Sequence, residues 1–420
     1  MNSTIKKEYA LASERYAKLG VSTSAALSKL KGISLSLHCW QGDDVSGFEK
    51  EGSLLSGGIQ VTGNRFGKAR SADELRNDLE KALSLLPGKH RVNLHAIYGN
   101  FTLKKNDRDQ ISKDNFIDWV SWAKKQKLKL DFNATLFSHP KSESGFTLSS
   151  KDVSIRSFWV EHVKRCRDIS AWFGQTLGSA SVHNLWIADG MKDQCADKRG
   201  YREALKNSLD KIFSVKISSK YIKDAVESKL FGIGSESFVV GSQEFYTSYA
   251  LKNNLMLCLD MGHFHPTESI ADKISAILTF QKEVLIHVSR GVRWDSDHVV
   301  LFDDATKEVA AEVKRNSALE TAHFALDYFD ASINRIGAWV IGARAAQKSI
   351  LYALLEPTSA LVKAEESGDY FKRLALTEEL KAMPFGSVWN YFCEQEGVPS
   401  AEDWIKEVEL YEKEVLSKRS

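Results

Sequence analysis

Short apolar, β-branched runs alternate with longer stretches of helical period along most of this chain. The runs fall at 33–40, 91–98, 128–136, 181–188, 222–231, 255–264, 284–288 and 323–329. Short apolar runs of this kind read as strands. Between them, 72–86 places Leu75, Leu79, Ala82 and Leu86 on one helical face, and 116–126, 155–177, 268–281 and 305–320 share that period. Strands alternating with helices imply βαβ units and a parallel sheet. Eight such runs fit a closed (β/α)8 barrel of the TIM type better than an open doubly wound sheet.

Both ends of the chain depart from this rhythm. Residues 1–30 read as one or two amphipathic helices, with Leu11, Tyr16, Leu19, Leu27 and Leu30 spaced as a buried stripe. After Phe329 the strand signal stops, and 331–417 read as helix, notably at 333–355, 360–374 and 400–417. The chain thus divides into a catalytic barrel with an N-terminal helix at 1–330 and a C-terminal helical extension at 331–420. That is more helix than a finished barrel needs for cover, so the extension is expected to dock on neighbouring subunits. No repeat of 20–50 residues, low-complexity tract or flexible linker interrupts the chain.

Composition narrows the function. The 420 residues carry 57 basic and 55 acidic side chains, a net charge of +2, so no global field attracts nucleic acid or an anionic membrane. Hydrophobic residues at 43% and charged ones at 27% suit a globular protein with a large core. The five cysteines are scattered, with no C-x-x-C pair, which argues against a disulfide framework or a cysteine zinc site and fits a reducing cytoplasm. The polar start Met-Asn-Ser-Thr-Ile-Lys-Lys-Glu does not read as a signal peptide, and no apolar run approaches the roughly 18 residues of a membrane span.

In a (β/α)8 barrel, side chains at the carboxyl ends of the strands converge on the active site. The fifth run ends in Glu227-Ser228-Lys229 and the sixth in Asp260-Met261-Gly262-His263. The seventh carries His287, followed by a loop, Trp294-Asp295-Ser296-Asp297-His298, and the eighth carries Asp327. Converging carboxylates repel one another unless a cation compensates them. Mixed oxygen and imidazole ligands suit Mn²⁺, Co²⁺, Zn²⁺ or Mg²⁺, and there are enough of them for two ions. Each group alone has a plainer reading: a satisfied core histidine, a helix cap, a solvated turn, a surface lysine. Their shared position in successive units favours a metal site. His38, Cys39 and Trp40 close the first run, His95 lies in the second and Trp186 in the fourth, where aromatic faces could stack on a sugar. The polar, glycine-rich stretch at 41–48 reads as a mobile lid or an ordinary loop. The stretch Gly57-Gly58-Ile59-Gln60-Val61-Thr62-Gly63 lacks dinucleotide spacing, and neither a P-loop nor a G-x-S-x-G elbow is present.

Several of these words also form a signature. His38-Cys39-Trp40-Gln41-Gly42-Asp43-Asp44, the segment 224–232, Asp260 through Glu268, Arg293 through His298 and Phe329-Asp330-Ala331-Ser332-Ile333-Asn334 resemble the signature segments of the L-rhamnose isomerase family, collinearly over nearly the whole chain. The resemblance implies a (β/α)8 barrel, a homotetramer and two divalent metals per subunit, often Mn²⁺, with Zn²⁺ or Co²⁺ possible in one site. It implies interconversion of L-rhamnose and L-rhamnulose in rhamnose catabolism. It assigns His263, Asp295 and Asp297 to a catalytic metal and Glu227, Asp260, His287 and Asp327 to a structural one that also grips substrate hydroxyls. Lys229 would sit near the substrate O1, with His95, Trp186 and Phe329 lining the sugar pocket. Ala188 and Gly291 stand where the family pattern has proline, which bears on loop rigidity and replaces no ligand.

Isomerisation of this kind proceeds through an enediol or by direct hydride shift, and two ions held by carboxylates favour the shift. A barrel for phosphoester hydrolysis or aldol cleavage would need basic residues around a phosphate, and Arg290 and Arg293 are the only candidates near the loop. A non-catalytic sugar sensor would have lost ligands, yet every ligand position is filled.

Overall fold

The computed structural model describes residues 2–49, 63–102, 106–229, 237–265, 267–292 and 294–419, with Trp294, Asp295 and Ser296 described by backbone alone. Its strands are β1 (Ser34–His38), β2 (Lys89–His95), β3 (Lys129–Asn133), β4 (Ser181–Trp186), β5 (Gly190–Met191), β6 (Ile222–Glu227), β7 (Phe238–Val239), β8 (Met256–Asp260), β9 (Val284–Val288), β10 (Arg290–Val292), β11 (Trp294–His298) and β12 (Ala322–Leu326). Eight of them close a barrel in the order β1-β12-β9-β8-β6-β4-β3-β2. Every neighbouring pair around it is parallel. Each barrel strand falls on one of the eight apolar runs, although β2 begins two residues and β12 one residue ahead of its run, and the fold is the expected (β/α)8 barrel.

The local reasons are visible in the helices. Ala72–Leu83 starts at Ser71, whose side chain accepts the Glu74 amide, and carries Asp73 and Glu74 in its first turn, where the helix dipole favours negative charge. It buries Leu75, Leu79 and Ala82 against the barrel. Val153–Leu177 is capped by Asp152 and ends at Gly178, which takes the left-handed conformation at φ 69°.

Some expectations are corrected. Leu11 is 65% exposed, and the helix Ser3–Lys18 instead buries Ile5, Ala12 and Tyr16. The stretch expected as a loop after His287 is a strand, with β11 pairing antiparallel with β10. Helices Lys198–Phe213 and Gln243–Asn253 also follow β5 and β7. The second hides from periodicity because it buries only Tyr246, Tyr249 and Ala250 among polar residues. The helix expected at 360–374 is two, Thr358–Glu366 and Tyr370–Lys381, broken at Gly368.

Helix Arg335–Leu354 follows β12 and packs against Asp304–Arg315, Ala72–Leu83 and Thr23–Gly32, so it sits in the ring around the barrel. Phe385–Gln395 packs on Ser3–Lys18, with Tyr9 and Tyr391 stacked at 3.7 Å. Near the C-terminus, Arg419 donates to both oxygens of buried Asp78 at 2.6 and 2.8 Å, and the Tyr411 hydroxyl donates to it at 2.8 Å. Among the described residues, no helix is long and apolar enough to cross a membrane.

Candidate active site

The pleat of the strands builds the site. Alternate residues of a barrel strand face inward. Val182, Ala225, Met256, Cys258, Leu285 and Ala325 form one buried apolar cluster. Two residues further along the same strands, toward their carboxyl ends, stand Asn184, Glu227, Asp260, His287 and, one past β12, Asp327. The chain thus stacks a layer of ligand chemistry directly on an apolar plug.

Glu227, Asp260, His287 and Asp327 each place a ligand atom within 4.8 Å of the others. His287 Nδ1 lies 3.2 Å from Glu227 Oε1, 3.0 Å from Asp327 Oδ2 and 3.6 Å from Asp260 Oδ2. The protein holds the opposite oxygen of every carboxylate. Asn184 Nδ2 donates to Glu227 Oε2 at 2.5 Å, and Trp40 Nε1 donates to Asp327 Oδ1 at 3.1 Å. Asp260 Oδ1 accepts the Gly262 amide at 2.6 Å and the Ser289 hydroxyl at 2.7 Å. The oxygens turned inward, Glu227 Oε1 and Asp260 Oδ2, have no hydrogen-bond partner although they are buried, and neither ring nitrogen of His287 has one. Buried polar atoms left this way are costly unless something else satisfies them. Three oxygens, each on a carboxylate braced from behind, together with an imidazole nitrogen fit a hard or borderline divalent cation.

The electrostatics agree. Burial alone would depress the His287 pKa, but Cys258, Glu227, Asp260 and Asp327 outweigh it and hold the imidazole well above its usual range. Burial raises the Asp327 carboxyl, and Asp260 and Glu227 add to that against the pull of His287. The carboxylates thus set up a negative potential at this point that attracts positive charge, a proton on His287 or a metal ion.

His263 and Asp297 line the same pocket, with His263 Nδ1 at 3.3 Å from Glu227 Oε1. Asp297 takes an unusual positive φ of 43°, and its carbonyl accepts the Phe329 amide at 3.2 Å. Such strain in a non-glycine residue clusters at functional sites. The Asp295 side chain lies outside the described residues, as does the 57–62 stretch considered above.

The rest of the pocket is aromatic. Trp40, His95, Phe137, Trp186 and Phe329 line it. His95 packs edge-on to Trp40 and Phe137, with centroids at 4.9 and 5.6 Å, and one ring nitrogen meets the Thr135 hydroxyl at 3.1 Å. Burial, helped by His287 and Arg108, lowers the His95 pKa to about 3, so its ring is neutral at working pH. Lys229 is buried beside the pocket wall; its ammonium donates to the Ala188 carbonyl at 3.1 Å and lies 5.7 Å from the centre of the Trp186 ring. Asn184, Asn133, Val45 and Phe137 line the pocket without having been singled out in the sequence. A signal existed for Asn184, a polar residue two before Trp186 on one strand face.

Known proteins resemble this chain along its full length. The L-rhamnose isomerase of Listeria innocua serovar 6a is 54% identical over 415 residues, 99% of each chain. That of Enterobacter sp. strain 638 is 54% identical over 419 residues, 100% of each. Among solved structures, a D-allulose 3-epimerase from Methylomonas sp. in complex with D-allulose aligns at a TM-score of 0.45 and 11% identity, covering 76% of this chain and 94% of that one. The relatives and the barrel together define an enzyme of the isomerase class. The family profile described as L-rhamnose isomerase (RhaA) matches residues 3–419, and the chain belongs to that family.

Proposed function

We propose that this enzyme interconverts L-rhamnose and L-rhamnulose in the cytoplasm, with two divalent ions per subunit, Mn²⁺ foremost and Zn²⁺ or Co²⁺ possible in one site. The observation that carries the reading is the braced cluster of Glu227, Asp260, His287 and Asp327 at the strand ends of a chain that belongs to this family throughout. Those four residues would hold the structural ion, and His263, Asp297 and Asp295 the catalytic one. When bound, the ions supply Lewis acidity toward the carbonyl and hydroxyl oxygens of the sugar.

The reaction moves one hydrogen between C1 and C2 and one proton between O1 and O2. Trp40, Trp186 and Phe329 offer apolar faces to the C–H surface of the sugar and exclude water from it. Neutral His95, oriented by Thr135, hydrogen-bonds a sugar hydroxyl without adding charge. Asp297, with Asp295, receives the hydroxyl proton and returns it to the other oxygen. Lys229, whose ammonium lies over the Trp186 ring, would stabilise negative charge developing on O1. An aromatic-lined pocket with two ions at the carbonyl and hydroxyl oxygens suits direct hydride shift, because an enediol would need a base over C2. The surface for a homotetramer is the C-terminal helices, where Val362, Tyr370, Phe371 and Leu374 are exposed.

The test is ketose formation from L-rhamnose by enzyme dialysed against chelator, then with Mn²⁺ restored. Activity is expected to vanish and return, and in D2O the product is expected to retain the substrate's own hydrogen. Full turnover in excess chelator would remove the metal reading, and wash-in of deuterium would replace the shift by an enediol.

A further inference from the structure

At the opposite, amino-terminal end of the barrel lies a cavity of about 1280 Å³, on the other side of the apolar plug from the chemistry that a barrel of this kind places at the carboxyl ends of its strands. Its floor is the inside of the barrel itself. Ser36, Asn93, Asp131 and Asn184 line it beside Val182, Leu285 and Ala325 of the apolar plug, all buried within the strands, and Arg91 lines it as well. The Arg91–Asp131 pair is neutralised internally: the guanidinium donates to both carboxylate oxygens at 2.7 and 2.8 Å, and Ser36 donates at 2.7 Å. The floor is therefore uncharged overall and sets one hydroxyl and two amide groups beside the apolar plug. One of these is incomplete. Asn184 gives its amide hydrogen to Glu227, and its buried carbonyl oxygen has no partner.

The mouth is different. Lys29, Lys314, Arg315 and Lys363 surround it against the carboxylates Glu320 and Glu356. Glu356 is already spent on Arg315, at 2.5 Å. Burial lowers the Lys314 pKa, Glu356 opposes it, and the nearby charges of Arg315 and Lys29 add to the lowering. The helices Thr23–Gly32 and Thr358–Glu366 both begin at this mouth, and no side chain caps the second. Helix starts and crowded ammonium groups attract anions.

We infer that this cavity is a second binding site, for a small phosphorylated polyol such as a ketose phosphate. The hydroxylated body would sit on the serine and asparagine floor, and the phosphate would lie at the lysine-rich mouth. The depth matters as well as the charge. Asn184 lines this cavity and the active-site pocket alike, and it is the group that braces Glu227. An occupant that engages its carbonyl oxygen would restrain the amide that orients a metal ligand, so the site is positioned to report a phosphorylated sugar to the catalytic end.

The experiment is calorimetric titration of the metal-loaded enzyme, with saturating L-rhamnose present, using D-fructose 1-phosphate, D-fructose and inorganic phosphate as probes. D-Fructose 1-phosphate is expected to bind at one site per chain without displacement by L-rhamnose, and inorganic phosphate at least tenfold more weakly. D-Fructose is expected to show no binding that L-rhamnose fails to displace. The double variant Lys29→Glu/Lys363→Glu alters two exposed side chains outside the catalytic pocket. It should keep its turnover and lose at least tenfold in affinity for the phosphorylated probe. Three results would overturn the proposal: no saturable binding up to 10 mM, displacement of the probe by L-rhamnose, or equal affinity in the charge-reversed variant. Equal affinity for inorganic phosphate would reduce the site to an anion contact and overturn its polyol half.

Discussion

At the scale of single residues, the two aspartates nearest the pocket divide the work in a testable way. Asp327 stands in the braced cluster, one oxygen held by Trp40 and the other 3.0 Å from His287. Asp297 lines the pocket on a strained backbone outside that cluster. Exchanging either for asparagine keeps its size and removes the charge that balances a cation. Asp297→Asn is expected to stay folded and to lose turnover by on the order of 10³-fold or more, because Lewis-acid and proton handling together supply several kcal/mol of barrier lowering. Asp327→Asn is expected to lower the melting temperature and raise KM, since a bound ion stabilises the fold in proportion to its affinity. Melting curves with kcat and KM in saturating Mn²⁺ check this, and the reverse pattern would exchange the two roles. Asp43 supplies a pH prediction. Burial lifts its pKa to about 7, although the Tyr98 hydroxyl and the Gly47 amide donate to it at 2.6 and 2.7 Å and pull the other way. A carboxyl raised in the folded state favours folding while protonated, so its contribution is greatest in acid and is lost as pH rises from about 4 to about 7. The stability of Asp43→Asn relative to the parent should therefore improve between pH 5 and 8. A difference that does not change with pH would show that this carboxyl does not titrate there.

At the scale of elements, periodicity and packing disagree instructively at Gly174. It lies inside helix Val153–Leu177, where a propensity argument gives alanine an advantage of about 1 kcal/mol. A Cβ added there would meet the Tyr221 carbonyl oxygen at 1.9 Å, and a backbone carbonyl just ahead of β6 cannot swing away as a side chain could. Overpacking costs about 1–3 kcal/mol, so packing wins, and Gly174→Ala is expected to unfold at lower denaturant than the parent. An unchanged or raised midpoint would mean that the strand gives way. The eight barrel strands were legible because short apolar runs recur between helical stretches, as a parallel sheet covered by helices requires. The β10–β11 ribbon was not, since its residues Trp-Asp-Ser-Asp-His carry no apolar alternation and are held in strand form by pairing with each other.

At the scale of the molecule, the exposed apolar residues beyond Leu354 call for a partner surface. Phe371 is 83% exposed and Leu374 60%, on a helix that begins after the turn at Gly368. Light scattering is expected to give a homotetramer at micromolar concentration, and Phe371→Glu/Leu374→Glu is expected to give smaller species with the barrel still folded. A parent protein that scatters as a monomer, or a variant that remains tetrameric, would move the interface elsewhere.

The sequence by itself determined the barrel, because alternation of apolar runs with helical period has one economical closure. It also named the carboxylates and imidazoles at the strand ends, because successive βα units place them at one geometric level and the family words fall on them. Only the tertiary structure decided how those groups are used. Whether an oxygen of Glu227 or Asp260 faces the cluster or a bracing donor depends on Asn184, Gly262 and Ser289, which come together only when the barrel closes. It likewise set Lys229 over the Trp186 ring, and it opened a basic-mouthed cavity beneath the plug from residues as far apart as Ser36 and Lys363. Periodicity reports which face of an element is buried; it carries no information about which distant side chain will share that burial.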